Sequence, residues 1–341
     1  MKAILLNKPG EFIHTTKPIP TIENEQHALL RVHKIGVCGT DIHAFGGKQP
    51  FFSYPRILGH ELAVEVVAIG KEVHNVQVGD FCCVEPYRNP TVGQAVKRGK
   101  TNCGENLTVL GVHEDGGMQE YFTYPASHLH VFNNVSTDML ALIEPLAIGR
   151  HAVNRADIQK DDIVLVVGAG PIGLCVTEFV KLSGAKVLVM DMNEDRLQFC
   201  KNKLAIHDTI LAGEVPLDQL LETLKGDLPT VVIDATGNKE SMHNAFQYVA
   251  AGGTIVFVGL FMGDVTFYDP FFHKKELTLK ATRAALSEDF AAIGKLMEDG
   301  VINPDWMITH RMPFDDLVEN FETLTNPQNQ VVKAIIDVVI A

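Results

Sequence analysis

The sequence predicts an α/β protein with two domains, one rich in β-strands and one built on a parallel sheet. Short apolar runs bounded by Gly, Pro and Asn, which are typical of strands, lie at 2–6, 27–34 and 62–69. Between 148 and 280, strand-like runs instead alternate with helical patterns, as in parallel sheets whose strands are connected by helices. We therefore expect a β-rich first domain followed by a doubly wound domain.

A glycine-rich turn at the centre of the chain predicts what the second domain binds. The strand-like run 164–167 leads into Gly168, Gly170 and Gly173, and Pro171 and Ile172 open the helical pattern that follows. The first glycine permits a tight turn, the second lets a pyrophosphate approach the backbone, and the third lets the helix pack on the strand. The helix N-terminus then offers N–H groups and a partial positive charge to phosphates.

A carboxylate strengthens this interpretation. A second strand-like run, 186–190, ends at Asp191, close to the spacing of about 20 residues at which an acid binds the adenosine ribose. Such an acid bonds both ribose hydroxyls and repels a 2′-phosphate, so we predict a Rossmann domain that binds NAD. The alternative is a glycine-rich turn in an ordinary α/β domain.

Composition excludes several classes of protein. The chain has 341 residues, of which 46% are hydrophobic and 21% charged, with a formal net charge of −13. That charge argues against non-specific binding to nucleic acid. Six cysteines in a chain of this length do not make a disulfide framework, and no apolar run is long enough to span a membrane. We expect no signal peptide and a reduced, cytoplasmic setting.

Candidate metal ligands lie in three loops of the β-rich region. Cys38 stands in the segment 36–43, His60 and Glu61 are adjacent, and Glu144 precedes a proline. Zinc accepts thiolate, imidazole and carboxylate, and catalytic zinc keeps one position open. Taken singly, these residues have structural explanations: a small buried thiol, a core imidazole and a helix start. Their combination beside a dinucleotide site favours a metal centre.

These motifs, together with the segment 115–121, resemble the zinc-dependent medium-chain alcohol and polyol dehydrogenases over essentially the whole chain. The similarity is greatest to sorbitol, threonine and L-galactonate dehydrogenase-like members, the last on residues 46–56. The resemblance implies a GroES-like catalytic domain, 1–147 and 281–341, and an NAD-binding Rossmann domain, 148–280. It also implies a homo-oligomer, either a dimer or a tetramer.

The resemblance further implies a reaction and roles in it. A hydride passes between NAD and a secondary hydroxyl of a sugar acid or polyol, and an L-galactonate-like substrate is favoured. Cys38 and His60 would be fixed zinc ligands, while Glu61 and Glu144 would ligate variably, directly or through water. Thr40 would hydrogen-bond the reacting hydroxyl, and His43 would pass its proton through the nicotinamide ribose to solvent. Zinc chemistry agrees, because a bound alcohol has a lowered pKa.

Further cofactor contacts follow from the same resemblance. Backbone groups near Val258 and Leu260 would meet the nicotinamide carboxamide. Arg196 would lie over the adenine, or would be a solvent-exposed helix charge. Arg283 would approach the nicotinamide and the domain cleft, or would be a surface charge.

The loop before His60 is a candidate substrate-binding segment. Phe51 and Arg56 stand at its two ends, and we expect both to line or border the pocket. Arg56 would then form a two-pronged pair with a substrate carboxylate, since guanidinium geometry favours this. The alternative is that Arg56 braces the loop.

The chain departs from the family pattern at the lobe that carries a structural zinc in many relatives. The four ligand positions of that lobe fall at Pro90, Gly93, Val96 and Cys103, and three of them are not ligands. One thiolate cannot build a tetrahedral structural site, so we expect one catalytic zinc and no structural zinc.

Two alternatives compete with a zinc- and NAD-dependent dehydrogenase. A zinc-free quinone or enone reductase shares the fold but lacks the cysteine and histidine pair. A nucleotide-binding structural or sensing relative would have kept the fold and lost the chemistry. A protein without the chemistry has no reason to keep the complete set of residue types at these spacings.

Overall fold

The computed structural model describes residues 1–50, 52–213 and 215–338. Strands lie at β1 (Lys2–Lys8), β2 (Glu11–Thr16), β3 (His27–Gly36), β4 (Glu61–Ile69), β5 (Phe81–Val84), β6 (Tyr87–Arg88), β7 (Thr108–Val109), β8 (Tyr121–Pro125), β9 (Leu129–Val131), β10 (Ile163–Val167), β11 (Lys186–Asp191), β12 (Thr209–Leu211), β13 (Val231–Asp234), β14 (Thr254–Phe257), β15 (Thr278–Ala281), β16 (Ile308–Pro313) and β17 (Lys333–Asp337).

The α-helices are α1 (Gly39–Phe45), α2 (Gln94–Lys97), α3 (Thr137–Ala141), α4 (Ile143–Ala156), α5 (Pro171–Ser183), α6 (Glu194–Leu204), α7 (Pro216–Thr223), α8 (Lys239–Tyr248), α9 (Asp269–Lys274), α10 (Ser287–Glu298) and α11 (Leu317–Asn320). Short 3₁₀ turns lie at Thr101–Cys103, Ala126–His128, Pro304–Met307, Phe314–Asp316, Phe321–Thr325 and Pro327–Asn329. None of the described helices is both long and apolar enough to cross a membrane.

The chain divides into two compact units, one formed by 1–144 with 286–341 and the other by 145–285. The first unit is built on a sheet with the strand order β16-β17-β3-β4-β5-β9, and β8 also pairs with β3. Its pairs are antiparallel except β16 with β17. The strand β17 therefore completes, from the end of the chain, a sheet that the first third begins.

Alternating side chains explain why β3 occupies the centre of this sheet. Ala28, Leu30 and Val32 are fully buried, and the residues between them are partly exposed. Because side chains of a strand point to opposite faces in turn, this pattern buries one face of β3 in the apolar core. The strand consequently runs through the middle of the unit and ends next to Cys38.

The second unit is a six-stranded parallel sheet in the order β12-β11-β10-β13-β14-β15. This is the doubly wound order expected of a Rossmann domain, with β10 at the point where the strand order reverses. The four residues 164–167 of β10 are all buried, as in strands that helices cover on both faces. The predicted fold class is confirmed.

The glycine turn between β10 and α5 has the geometry that its sequence predicts. Gly168 has a φ of +97°, and Gly170 precedes α5 with open space where a side chain would project. A Cβ on Gly173 would lie 1.8 Å from the carbonyl oxygen of Gly168. The helix therefore begins in contact with the turn, and only glycine fits at that contact.

We predict that Gly173→Ala lowers the free energy of unfolding by about 1–3 kcal/mol, because the added methyl group forces backbone atoms apart. Gly170→Ala is the matched control, since its Cβ would meet nothing within 4 Å. Urea unfolding of the full chain measures both variants. Equal stability of the two variants would contradict the close approach at Gly173.

Candidate metal centre and dinucleotide site

Strand pairing brings three candidate metal ligands together. Gly36 at the end of β3 is paired with Glu61 at the start of β4. Cys38 follows two residues after Gly36, and His60 immediately precedes Glu61. A Cβ on Gly36 would lie 2.2 Å from the Glu61 carboxylate, so a glycine is needed for that side chain to fold inward over β3.

The resulting cluster suits a divalent metal ion. The ligand atoms of Cys38, His60 and Glu61 all lie within 4.8 Å of one another, and within the described ranges no other group of three candidate ligands meets this criterion. His60 and Glu61 are buried, and His60 Nδ1 has no hydrogen-bond partner among the described residues. A thiolate, an imidazole and a carboxylate around one point fit a catalytic zinc that keeps a fourth position open.

A buried lysine contacts the carboxylate of this cluster. Lys333 Nζ lies 2.6 Å from both oxygens of Glu61 and donates to the carbonyl of Val37 at 3.1 Å. Both side chains of the ion pair are almost completely buried. The ammonium group therefore offsets the charge of Glu61, which would otherwise be costly to bury. Sequence reasoning did not predict a role for Lys333.

Glu144 is close to the metal cluster but is not part of it. Glu144 is buried, and its Oε1 accepts a hydrogen bond from the hydroxyl of Tyr87. Sequence reasoning did not predict a role for Tyr87. Burial raises the pKa of Glu144, and the charge of Glu61 acts in the same direction against the lowering effect of His60. Of the two carboxylates that the sequence offered as variable ligands, the structure groups Glu61 with Cys38 and His60.

Charges around His60 decide its protonation before metal binds. Burial alone lowers the pKa of His60, but the neighbouring Cys38, Asp41 and Glu144 outweigh burial and hold that pKa well above its ordinary value. Zinc binds the neutral imidazole, so a proton carried by His60 would have to leave when the metal binds. Asp41, a buried acid whose Oδ2 accepts from the Cys38 N–H at 2.9 Å, fixes the turn that carries Cys38.

The helix α1 presents Thr40 and His43 three residues apart, a spacing that places both on one side of the helix. Thr40 Oγ1 is buried and, among the residues described, has no hydrogen-bond partner. His43 is exposed. The hydroxyl of Thr40 is thus available to a ligand, and the imidazole of His43 is in contact with solvent.

The predicted substrate loop is partly described. Phe51 lies outside the described residues. Arg56 Nη2 donates to Ser53 Oγ at 2.9 Å, and Nη1 lies 3.7 Å from Asp115 Oδ1. The backbone of Arg56 also pairs with Leu6. These contacts favour the alternative in which Arg56 braces the loop.

A cleft in the second unit is lined by two of the residues that the sequence predicts to bind the dinucleotide. The cleft measures about 500 Å³ and is lined by residues that include Gly168, Asp191 and Thr236. Asp191 accepts from the N–H of Ala169 at 2.6 Å and from that of Asn193 at 2.8 Å. The acid therefore also holds the glycine turn in place.

The remaining predicted cofactor residues lie in the same unit. Arg196, on α6, is half-buried. Burial lowers the pKa of its guanidinium group, although the negative charge of Asp191 acts to raise it. Val258 and Leu260 follow the end of β14, and Leu260 is 71% exposed. Arg283 is exposed beyond β15. Arg196 is thus close to Asp191, and the side chain of Arg283 is accessible to solvent.

The lobe that would carry a structural zinc is held by other contacts. Arg88, in β6, forms a two-pronged ion pair with Glu114, which follows β7, and its Nε lies 2.9 Å from Oε1. The carboxylate of Glu105 accepts from the N–H of Ala95 at 3.3 Å at the start of α2. Cys103 is exposed and has no disulfide partner.

Comparison with known proteins agrees with this geometry. Residues 24–134 match the model of the alcohol dehydrogenase GroES-like domain, and residues 171–299 match that of the zinc-binding dehydrogenases. The chain is 43% identical to L-galactonate-5-dehydrogenase of Escherichia coli K12, over 98% of both chains. It is 31% identical to sorbitol dehydrogenase of Ovis aries, over 94% of this chain and 92% of the other.

A solved structure is similar over the whole length. The protein comes from E. coli CFT073, is described as a short chain alcohol dehydrogenase and is complexed with NADH. It shares 28% identity with this chain at a TM-score of 0.90, covering 99% of each. These similarities support a zinc- and NAD-dependent dehydrogenase over both the zinc-free reductase and the non-catalytic binding protein.

We predict one zinc per chain, because only the Cys38 cluster offers three suitable ligands within the described residues. Cys38→Ala should abolish zinc retention, since two ligands hold the metal weakly. Cys103→Ala, which removes an exposed thiol from the lobe, should retain it. Elemental analysis of the purified proteins measures the metal content, and two zinc equivalents per unaltered chain would contradict this account of the lobe.

Proposed function

The chain belongs to the zinc-dependent medium-chain alcohol and polyol dehydrogenase family, and on that premise we propose that it oxidises a secondary hydroxyl of a sugar acid. An L-galactonate-like substrate is favoured, and a neutral polyol such as sorbitol is the alternative. The observation that carries the proposal is the cluster of Cys38, His60 and Glu61, in which His60 and Glu61 are buried, together with the unpartnered hydroxyl of Thr40, two residues after Cys38.

Residues of the first unit have different proposed roles in alcohol oxidation. When bound, zinc supplies Lewis acidity toward a hydroxyl and NAD supplies the hydride acceptor. Cys38, His60 and Glu61 would hold the metal. Thr40 Oγ1 would hydrogen-bond the reacting hydroxyl, and the exposed His43 would pass its proton on to solvent.

Polarity supports a polyhydroxylated substrate. Thr40 Oγ1 is buried without a described hydrogen-bond partner, and Tyr87 occupies only one oxygen of Glu144, so an alkyl alcohol would leave hydrogen-bonding capacity unused. Hydroxyls along a sugar chain would use that capacity. The similarity to an L-galactonate dehydrogenase at 43% identity favours the acid, and the 31% similarity to sorbitol dehydrogenase supports the polyol as the alternative. A threonine-type substrate is a further alternative.

The proposal extends to cellular setting and assembly. None of the six cysteines forms a disulfide, which fits a reduced, cytoplasmic location. The edge strand β15 exposes Leu279, and Leu260 and Met262 are exposed in the segment before it. An open edge flanked by apolar side chains suits pairing with a second copy, so we propose a homo-oligomer, either a dimer or a tetramer.

A substrate panel tests the proposed function. L-Galactonate, the polyol of matching stereochemistry, sorbitol, L-threonine and a long alkyl alcohol are each supplied with NAD, and the reduced cofactor is followed by absorbance. We expect the highest kcat/KM with the sugar acid. Activity confined to alkyl alcohols would overturn the proposal.

The same panel tests the role of Arg56. Because its guanidinium group contacts Ser53 and Asp115, we expect Arg56→Met to reduce activity on the sugar acid and on the matching polyol by similar factors. A loss of about tenfold or more that is confined to the acid would instead place the substrate carboxylate on Arg56.

Asp191 should determine the choice of dinucleotide. We propose that the unaltered protein prefers NAD over NADP, because a carboxylate at the ribose repels a 2′-phosphate. Asp191→Ala should narrow the preference by about tenfold or more, as expected for loss of roughly 1.4 kcal/mol of discrimination. Glu194→Ala is the control, since it removes an exposed acid three residues along the chain. Steady-state kinetics with both cofactors measure the ratio, and a preference of the unaltered protein for NADP would contradict the role of Asp191.

A further inference from the structure

We propose that Tyr87 is a positioning residue that holds Glu144 outside the ligand set of the metal. The protein ligands are then Cys38, His60 and Glu61, and the fourth position stays open to the substrate. This inference rests on the proposed function, since it assumes that the cluster holds a catalytic metal.

The two carboxylates near the cluster are held by different partners. Glu61 is bonded through both oxygens to the Lys333 ammonium group, at 2.6 Å each. Glu144 instead accepts from the neutral Tyr87 hydroxyl through Oε1, in a bond that is buried on both sides. The cation offsets one charge, while the phenol only directs the other.

Tyr87 is itself fixed by aromatic packing. Its ring meets Phe290 edge to face at 6.2 Å between centroids, and Phe290 is fully buried in α10. The His130 ring stacks on Phe290 at 5.3 Å, and its Nε2 lies 3.1 Å from Glu85 Oε2. Because both the ring and its neighbour are constrained, the hydroxyl remains aimed at Glu144.

The hydroxyl of Tyr87 is the donor in its bond to Glu144. A protonated hydroxyl has one hydrogen to donate, and the Tyr87 bond occupies one oxygen of Glu144. The second oxygen is left to accept from a hydroxyl of the substrate.

Keeping Glu144 away from the metal leaves the fourth coordination position open to the substrate. Catalytic zinc works with three protein ligands, whereas a fourth closes a site of the structural kind. Without the Tyr87 bond, the buried carboxylate of Glu144 would lose a hydrogen-bond donor and would find its best partner in the metal. We therefore expect loss of the hydroxyl to tighten metal binding and lower kcat.

Cobalt(II) is the probe, because the intensity of its visible d–d bands falls as coordination rises from four to five. In the full chain loaded with cobalt, Tyr87→Phe should weaken these bands while the sulfur-to-cobalt absorption from Cys38 remains. The double variant Tyr87→Phe with Glu144→Gln should restore them, since a neutral amide is a poor ligand. Chelator competition should show cobalt held several-fold more tightly by Tyr87→Phe.

Tyr124→Phe is the matched control. Tyr124 is another buried tyrosine of the same unit, and its hydroxyl donates to the backbone carbonyl of Glu85 at 3.2 Å. It should leave the cobalt spectrum and kcat unchanged. The same spectral change in Tyr124→Phe, or no change in Tyr87→Phe, would overturn the inference.

Glu144→Gln alone provides a test that does not depend on the folding of Tyr87→Phe. If Glu144 is outside the ligand set, this variant keeps the d–d intensity of the unaltered protein, and a changed intensity would overturn the inference. The proposed function fails separately, if the cobalt spectrum behaves as expected but no sugar acid or polyol is oxidised with NAD.

Discussion

The pairing of Gly36 with Glu61 is the constraint on which the metal centre depends. It sets the end of β3 against the start of β4, so that Cys38 and His60 reach one point from two strands. The absence of a side chain at Gly36 gives Glu61 the space to fold inward. The strand β17 also pairs with β3, and Ile335 lies opposite Gly36. Lys333, two residues before Ile335, is thereby placed in contact with Glu61.

Three strands thus carry both the ligands and their compensating charge. The Lys333–Glu61 pair is buried, and breaking such a pair by removing one partner costs about 3–5 kcal/mol. Because β17 lies at 333–337, the C-terminal segment belongs to the first unit through its strand pairing and also through the charge of Lys333. Glu144 is bonded to the neutral Tyr87 hydroxyl, whereas Glu61 is bonded to the positively charged Lys333. The two carboxylates therefore differ in whether a cation offsets their charge.

Sequence reasoning succeeded where local pattern fixes structure. The glycine turn, the acid at the end of β11 and the parallel arrangement of strand, helix and strand around β10 follow from motifs whose geometry is set within about 30 residues. The segment around Cys38 and the His60–Glu61 pair were also recognisable, because each stands in a short motif. The structure brought these side chains together as a metal centre requires.

Residues that act through distant partners could not be found in this way. Tyr87 stands 57 residues from Glu144, and Lys333 stands 272 residues from Glu61, so no local spacing reports either contact. One signal was present for Lys333, since a lysine within an apolar strand-like run is rarely buried without a partner. The alternatives for Arg56 also required tertiary contacts, because only the positions of Ser53 and Asp115 distinguish a brace from a binding residue.

X-ray absorption at the zinc K-edge tests the central claim most directly, that Cys38, His60 and Glu61 form the metal centre. The purified, unaltered protein should show one sulfur at about 2.3 Å and nitrogen or oxygen ligands at about 2.0–2.2 Å. A shell of two or more sulfurs, or of none, would contradict this ligand set.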